Sequence, residues 1–113
     1  MAQRAFPGEF EWMVLLAVLR LGEGAHALAI LDELDRRAGR AVSRGALYKT
    51  LGRMEDKGWL AWNVDETEVP ERGGIPRRRF RVTTEGLGVT RAADEAFSRL
   101  REGLEDRLGE AAG

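Results

Sequence analysis

Two short amphipathic helices joined by a four-residue turn, residues 39–42, restrict this chain to a small set of folds. The first covers residues 25–38 and ends at Gly39, and the second covers residues 44–57 after Ser43, a favourable N-cap. The apolar stripe of the first consists of Ala27, Ile30, Leu31, Leu34 and Ala38. The inward residues of the second are Ala46, Leu47, Thr50, Leu51 and Met54. This spacing predicts a helix-turn-helix.

The hydrophobic period changes directly after the second helix. Large apolar residues occupy every second position in residues 60–64, and in residues 77–82 Phe80 and Val82 alternate with arginines. Such alternation is typical of β-strands. Residues 65–76 contain two prolines and Gly73-Gly74, which predict a long hairpin loop. A two-stranded hairpin that follows a helix-turn-helix predicts a wing.

Helices are predicted on both sides of this unit. Residues 9–21 have helical spacing, and residues 12–19 are apolar on every side, which indicates a central helix or one that meets a second subunit. Residues 83–108 read as one last helix, capped by Thr83 or Thr84 and about 35 Å long. The preceding residues are too few to cover that length, so we expect a second copy to cover its apolar stripe.

The predicted fold class is therefore mainly α (α+β). We expect a winged helix-turn-helix over residues 1–82, and a dimerisation helix with a frayed tail over residues 83–113. The two copies should meet through their first and last helices. The interface residues predicted from these stripes are Trp12, Leu16, Phe97, Leu100, Leu104 and Leu108.

Composition excludes several classes of protein. A chain of 113 residues fits one domain with one core, and the absence of cysteine excludes disulfides and thiolate zinc sites. We expect no metal and no cofactor, and we interpret the single His26 as incidental at the surface. The sequence has no recognisable signal peptide, and its longest apolar run, residues 12–19, is too short to span a membrane. We therefore predict a cytoplasmic protein without membrane contact.

The charge is distributed unevenly. The whole chain has a net charge of −1, but residues 36–81 contain twelve basic and six acidic residues and carry +6, which leaves −7 for the rest. Screening limits the reach of each charge to about 8 to 10 Å. The local excess of positive charge is therefore more informative about the binding partner than the net charge of the chain. It favours a polyanion such as double-stranded DNA.

Three segments of the chain resemble the PadR family of bacterial transcription regulators. They are VSRGALY at residues 42–48, LGRMEDKGWL at 51–60 and RRRFRVTTEG at 77–86. The opening GEFE at residues 8–11 and the short C-terminal region resemble the compact branch of that family. The family often has Tyr in place of Phe80 and Pro in place of Thr84. The resemblance implies a winged-helix dimer that represses transcription until an effector binds, in some members a planar aromatic compound at the dimer centre.

The candidate DNA contacts lie on the second helix of the motif and on the wing. We expect base contacts in the major groove from the helix, close backbone approach at a glycine, and phosphate contacts from the remaining residues. The set consists of Ser43, Arg44, Gly45, Tyr48, Lys49, Arg53, Arg72, Arg77 and Arg79. The alternative is that these charges are solvated, or that the wing arginines pair with Asp65, Glu66, Glu68 and Glu71.

Other functions remain as alternatives to a repressor. Trp12 and Phe97, with Trp62, could line a pocket for a small planar effector, although aromatic residues at such positions more often serve simple core or interface packing. A ligand sensor or a winged helix that docks an acidic protein are the rival interpretations. Catalysis is disfavoured, because the chain has no cysteine nucleophile and no base placed to activate Ser43 or Ser98.

Overall fold

The computed structural model describes residues 6–65 and 77–112, with side chains as far as residue 109. Its helices are α1 (Glu9–Leu21), α2 (Ala27–Ala38), α3 (Arg44–Asp56), α4 (Thr84–Arg101) and α5 (Glu105–Ala112), and its strands are β1 (Leu60–Asp65) and β2 (Arg77–Val82). The first helix has the predicted limits. The second begins two residues later than predicted, because the backbone of Ala25 is not helical and His26 is the extended N-cap.

The core lies between α1, α2 and α3. Val14, Leu15, Ile30, Leu47 and Met54 are fully buried there. The buried residues of α3 repeat at three- and four-residue spacing, which confirms the helical pattern for Leu47, Thr50, Leu51 and Met54. The prediction was wrong for Ala46, which is exposed because it lies about 100° around the helix from Leu47. Ala38, in the last turn of α2, is exposed as well.

Side-chain caps fix the starts of α3 and α4. Ser43 Oγ accepts a hydrogen bond from the Ala46 N–H at 3.0 Å, and Thr83 Oγ1 accepts one from the Gly86 N–H at 2.9 Å. Both caps satisfy backbone donors that a helix leaves unpaired in its first turn. Ser43 therefore has a structural role beside the predicted DNA contact, and Thr83 is the cap of α4.

The wing is an antiparallel pair of strands whose register runs from Leu60↔Val82 to Asp65↔Arg77. At its base, Leu60 and Phe80 are buried in the core. The backbone N–H of Phe80 also donates to the carbonyl of Ala25 at 3.0 Å, which ties the hairpin to the segment before α2. The predicted hairpin loop lies outside the described residues, except for Asp65 at its start.

The prediction of one long C-terminal helix was wrong. Helix α4 ends at Arg101, and α5 begins at Glu105 after a break at Gly103, whose φ is +85°. Glycine adopts this left-handed conformation at little cost, so it commonly ends helices. The residues after Gly109, which we expect to fray, continue α5 as far as Ala112. Within residues 6–65 and 77–112, no helix is both long and apolar enough to cross a membrane.

Candidate nucleic-acid interface

One face of α3 is turned to solvent and carries the residues predicted to read DNA. Arg44, Tyr48 and Lys49 are all exposed, and 44% of the tyrosine surface is accessible. Neither Arg44 nor Lys49 forms an ion pair with any residue that the structure describes. These two cations therefore remain available to an external anion.

Two glycines leave this face of α3 without bulky side chains at their positions. A β-carbon built at Gly45 or at Gly52 would meet no heavy atom within 4 Å. Internal packing therefore gives no reason for glycine at either position, and an interior glycine weakens a helix relative to alanine. A surface that must approach another molecule closely does give a reason, which agrees with the role predicted for Gly45.

Arg53, predicted to contact phosphate, is half-exposed and already has partners inside the protein. Its Nε lies 3.3 Å from Glu11 Oε2, and its Nη2 lies 3.3 Å from Thr50 Oγ1. The positive charge of Arg53 is therefore partly neutralised, and Glu11 and Thr50 hold its guanidinium at the surface of α3. A phosphate contact from Arg53 would compete with its bond to Glu11.

Glu11 is a buried carboxylate that sequence reasoning missed. It accepts hydrogen bonds from the Gly8 N–H at 2.8 Å and from Lys57 Nζ at 2.8 Å, in addition to Arg53. Burial acts to raise the pKa of Glu11, but the hydrogen bonds from Lys57, Gly8 and Arg53 outweigh it and hold the pKa below its usual value. The carboxylate thus joins the start of α1 to the end of α3. A glutamate three residues after a helix N-cap was its only sequence signal.

The wing arginines have different environments. Arg77 is partly buried without an ion pair in the described part of the chain, whereas Arg78 stacks over the Trp62 ring, 4.8 Å from its centroid. A groove of about 230 Å³ between the start of α2, α3 and β2 is lined by Tyr48, Arg77 and Arg78 among others. The exposed face of α3 and the wing thus border one groove. Arg72 lies outside the described residues.

Arg79 is held by acidic residues. Its Nη2 lies 3.3 Å from Asp65 Oδ1, and its Nη1 lies 3.5 Å from Glu23 Oε1. The pairing of a wing arginine with Asp65, left open as an alternative, is therefore found at this position. The structure favours a structural role for Arg79 over a direct contact with DNA.

His26 is not an incidental surface residue, and that prediction was wrong. Its Nε2 lies 2.8 Å from Asp65 Oδ2, and only 12% of its side chain is exposed. The two residues are 39 positions apart, so neither periodicity nor local spacing could reveal the contact. The histidine therefore links the residue before α2 to the loop end of the wing strands.

The predicted interface residues form an aromatic pair and a row of exposed leucines. Trp12 stacks on Phe97 with ring centroids 4.5 Å apart, and the Trp12 Nε1 is buried without a partner among the described residues. Leu16, Leu100, Leu104 and Leu108 are exposed, and Leu100 reaches 72%. Trp62 lies on the wing strand β1 rather than with this pair.

Comparison with solved structures identifies the fold. A PadR family transcriptional regulator from Eggerthella lenta is 30% identical, with a TM-score of 0.63 over 85% of this chain and 80% of that one. A PadR-like transcriptional regulator from Bacillus cereus is 17% identical, with a TM-score of 0.70 over 88% and 90% of the two chains, and that likeness concerns the fold alone. Both likenesses confirm a winged helix-turn-helix.

Comparison by sequence gives one curated relative and one family. A UPF0761 membrane protein of Aromatoleum aromaticum is 28% identical over 111 residues, which are 93% of this chain but only 27% of that protein. The chain therefore spans about a quarter of the length of this relative. The model of the transcriptional regulator PadR-like family matches residues 15–92, which include α2, α3 and both wing strands. The family model matches more than half of the chain, and the fold agrees with that match. The chain therefore belongs to the PadR-like family of transcriptional regulators.

Proposed function

We propose that this protein is a sequence-specific repressor that binds double-stranded DNA as a homodimer. Helix α3 would enter the major groove, where Arg44, Tyr48 and Lys49 reach base edges. The observation that carries the proposal is the exposed face of α3, on which Arg44 and Lys49 lack intramolecular ion pairs within the described residues. Ser43 and the glycine at position 45 would allow the helix start to lie against the duplex.

The wing would hold the phosphate backbone beside the major groove. Arg77 is the wing residue best suited to this contact, with Arg72 as a further candidate from the sequence. Phosphate contacts position a protein on the duplex without reading its sequence, whereas base contacts select the site. The surplus of +6 in residues 36–81 supports such a division of roles, because it surrounds both elements with cations.

Two copies would meet through α1, α4 and α5, the elements with the exposed leucines and the Trp12–Phe97 stack. A two-fold arrangement would place the two α3 helices about 34 Å apart, so that each reads half of an inverted repeat. Occupancy of a promoter would block transcription. This role implies a cytoplasmic location, since it requires access to the genome.

A small planar effector would bind near the Trp12–Phe97 stack at the dimer centre. The stacked rings and the buried Trp12 Nε1 without a described partner favour an aromatic ligand with one hydrogen-bond acceptor. Such a ligand releases DNA only if it binds the two dimer spacings with different affinity. Quenching of tryptophan fluorescence on titration with planar aromatic compounds tests this part of the proposal.

A mobility-shift titration with the DNA upstream of the gene tests the repressor proposal. The wild-type protein should bind this DNA more tightly than a scrambled duplex, and the double variant Ser43→Ala, Arg44→Ala should lose most of that preference. Arg91→Ala removes an exposed cation from α4, which is not among the elements proposed to contact DNA, and serves as the matched control. Absence of wild-type binding at low salt would overturn the proposal.

A further inference from the structure

A buried carboxylate lies at the end of wing strand β1, where the strand is otherwise exposed. Leu60 at the start of β1 is buried, and Trp62, Asn63 and Val64 are exposed. The next residue, Asp65, is buried again, with only 10% of its side chain accessible. Burial of a carboxylate is unfavourable unless charged or hydrogen-bonding partners compensate for the lost water. The surroundings of Asp65 must therefore supply such partners.

Two partners come from different parts of the chain. His26 Nε2 donates to Asp65 Oδ2 at 2.8 Å, and Arg79 Nη2 lies 3.3 Å from the second carboxylate oxygen, Oδ1. We call His26, Asp65 and Arg79 the wing hub. The hub links the residue before α2 to the end of β1 and the middle of β2.

The wing hub lies at the loop end of the strand pair, since Asp65 and Arg77 form the last pair of the described register. Beside it, the Phe80 N–H donates to the carbonyl of Ala25, so residues 25 and 26 hold β2 through the backbone and β1 through Asp65. Helix α2 begins at the next residue and packs against α3. The direction of the wing relative to α3 thus depends on contacts made at the start of α2.

A need to fix the direction of the wing explains the buried charges of the wing hub better than a gain in folding stability does. A buried ion pair often contributes no more to stability than apolar residues of similar size, and in some proteins its role is to fix one arrangement of its members. A two-stranded hairpin is marginally stable alone and depends on the body for its orientation. A charged hub that ties the loop end of the strands to the residue before α2 would supply that orientation.

We propose that the wing hub orients the wing for its contact with the DNA backbone. His26, Asp65 and Arg79 are then positioning residues, and Arg79 itself does not touch phosphate. This inference rests on the proposed function, since it assigns a role to the wing of a DNA-binding protein. It goes beyond that function by identifying the residues that set the angle between the wing and α3.

Fluorescence anisotropy with a duplex that the wild type binds, at several salt concentrations, tests the hub. Asp65→Ala and His26→Leu should weaken binding to specific and scrambled duplexes alike by about tenfold. The salt slope should fall by about 1 for each phosphate that the misoriented wing no longer reaches. The ratio of specific to scrambled affinity should stay the same, because α3 is unchanged. His26→Gln should bind DNA like the wild type, since the glutamine side-chain N–H can reach Asp65 from nearly the same position as the histidine Nε2.

Glu33→Gln is the matched control for a purely structural effect. Its side chain is 11% exposed, nearly the same as Asp65, and it pairs with Arg20 of α1 and Arg37 of α2 rather than with a wing residue. This variant should lose stability without a change in salt slope. An equal loss of slope in Glu33→Gln, or an unchanged slope in Asp65→Ala, would overturn the hub.

Hydrogen exchange of the free protein gives a readout that does not depend on DNA. Asp65→Ala should accelerate amide exchange in residues 61–65 and 77–81 relative to α3, and Glu33→Gln should not. Unchanged exchange in the wing would overturn the hub even if DNA binding is confirmed. A wild-type protein that ignores DNA at low salt would instead overturn the proposed function, and the role of the wing with it.

Discussion

Gly86 and the carbonyl of Trp59 are in such close contact that a β-carbon on Gly86 would overlap the Trp59 oxygen. The first turn of α4 therefore rests directly on the backbone that joins α3 to β1. Two hydrogen bonds hold it there: the Thr83 N–H donates to the Trp59 carbonyl at 3.0 Å, and the Thr83 hydroxyl donates to the Gly58 carbonyl at 2.6 Å. The helix proposed for dimerisation is thus fixed to the end of the helix proposed to read DNA.

Gly86→Ala should destabilise the protein by about 2 kcal/mol or more, because the added methyl group forces backbone apart in a packed region. Gly88→Ala is the control on the same helix, where a β-carbon would meet nothing within 4 Å. That variant should be stabilised by up to about 1 kcal/mol through helix propensity. Urea unfolding measures both changes, and equal stabilities for the two variants would contradict the close contact.

Glu11→Gln should destabilise the folded state by about 2 kcal/mol at neutral pH, since the charge-assisted hydrogen bonds from Lys57 and Arg53 are weakened. The pKa of Glu11 is lowered on folding from the ordinary value of 4.5, so its charge stabilises the protein fully above that value. This contribution is lost as the pH falls through the lower, folded-state pKa. Thermal unfolding should therefore show a gap between wild type and variant that narrows below about pH 4.

The control for this prediction is Glu9→Gln, in the same turn of α1. Glu9 pairs with Arg40 at 2.8 Å, but its side chain is largely exposed, and exposed pairs contribute little. The stability of this variant should stay close to wild type at and above neutral pH. A gap for Glu11→Gln that does not depend on pH would contradict the account of its pKa.

Arg77→Ala should weaken binding to every duplex by a similar factor and reduce the salt slope by about 1, as expected when one phosphate is no longer neutralised. Arg81→Ala removes the same charge from an exposed position on the same strand. It tests whether the location of the arginine affects the salt slope in addition to the loss of its charge. Titrations between low and moderate salt give both slopes. An unchanged slope in Arg77→Ala would remove this residue from the phosphate contacts.

Leu100→Glu should shift the protein from dimer to monomer, because it places a charge on the most exposed leucine of α4. Leu28→Glu changes a half-exposed leucine on α2, outside the predicted interface, and should leave the dimer intact. Sedimentation velocity over a range of concentrations distinguishes the two states. A monomeric wild type would contradict the homodimer.

Local signals in the sequence explain most of the predicted architecture. The limits of α1, the Ser43 cap and the αL glycine at residue 39 were all predictable, because caps and apolar spacing act within a few residues. The break at Gly103 was missed because the leucine spacing continues across it. The apolar periodicity predicts one continuous helix, whereas the backbone ends the helix at Gly103.

Contacts between distant residues could not be predicted. Lys57 meets Glu11 across 46 positions and His26 meets Asp65 across 39, so each pair depends on the packing of elements that are far apart in the sequence. The sequence therefore identified the cations of residues 36–81 but not which of them are held internally. Arg53 and Arg79, both predicted to contact DNA, have carboxylate partners, whereas Arg44 and Lys49 have none among the described residues.

Chemical-shift mapping of the backbone amides during titration with the upstream DNA tests the central claim most directly, since it reports which surface meets the duplex. We predict the largest shifts in residues 43–53, smaller shifts in residues 77–81, and little change along the exposed face of α4. Shifts confined to α1 and α4, or none at low salt, would contradict DNA recognition by α3.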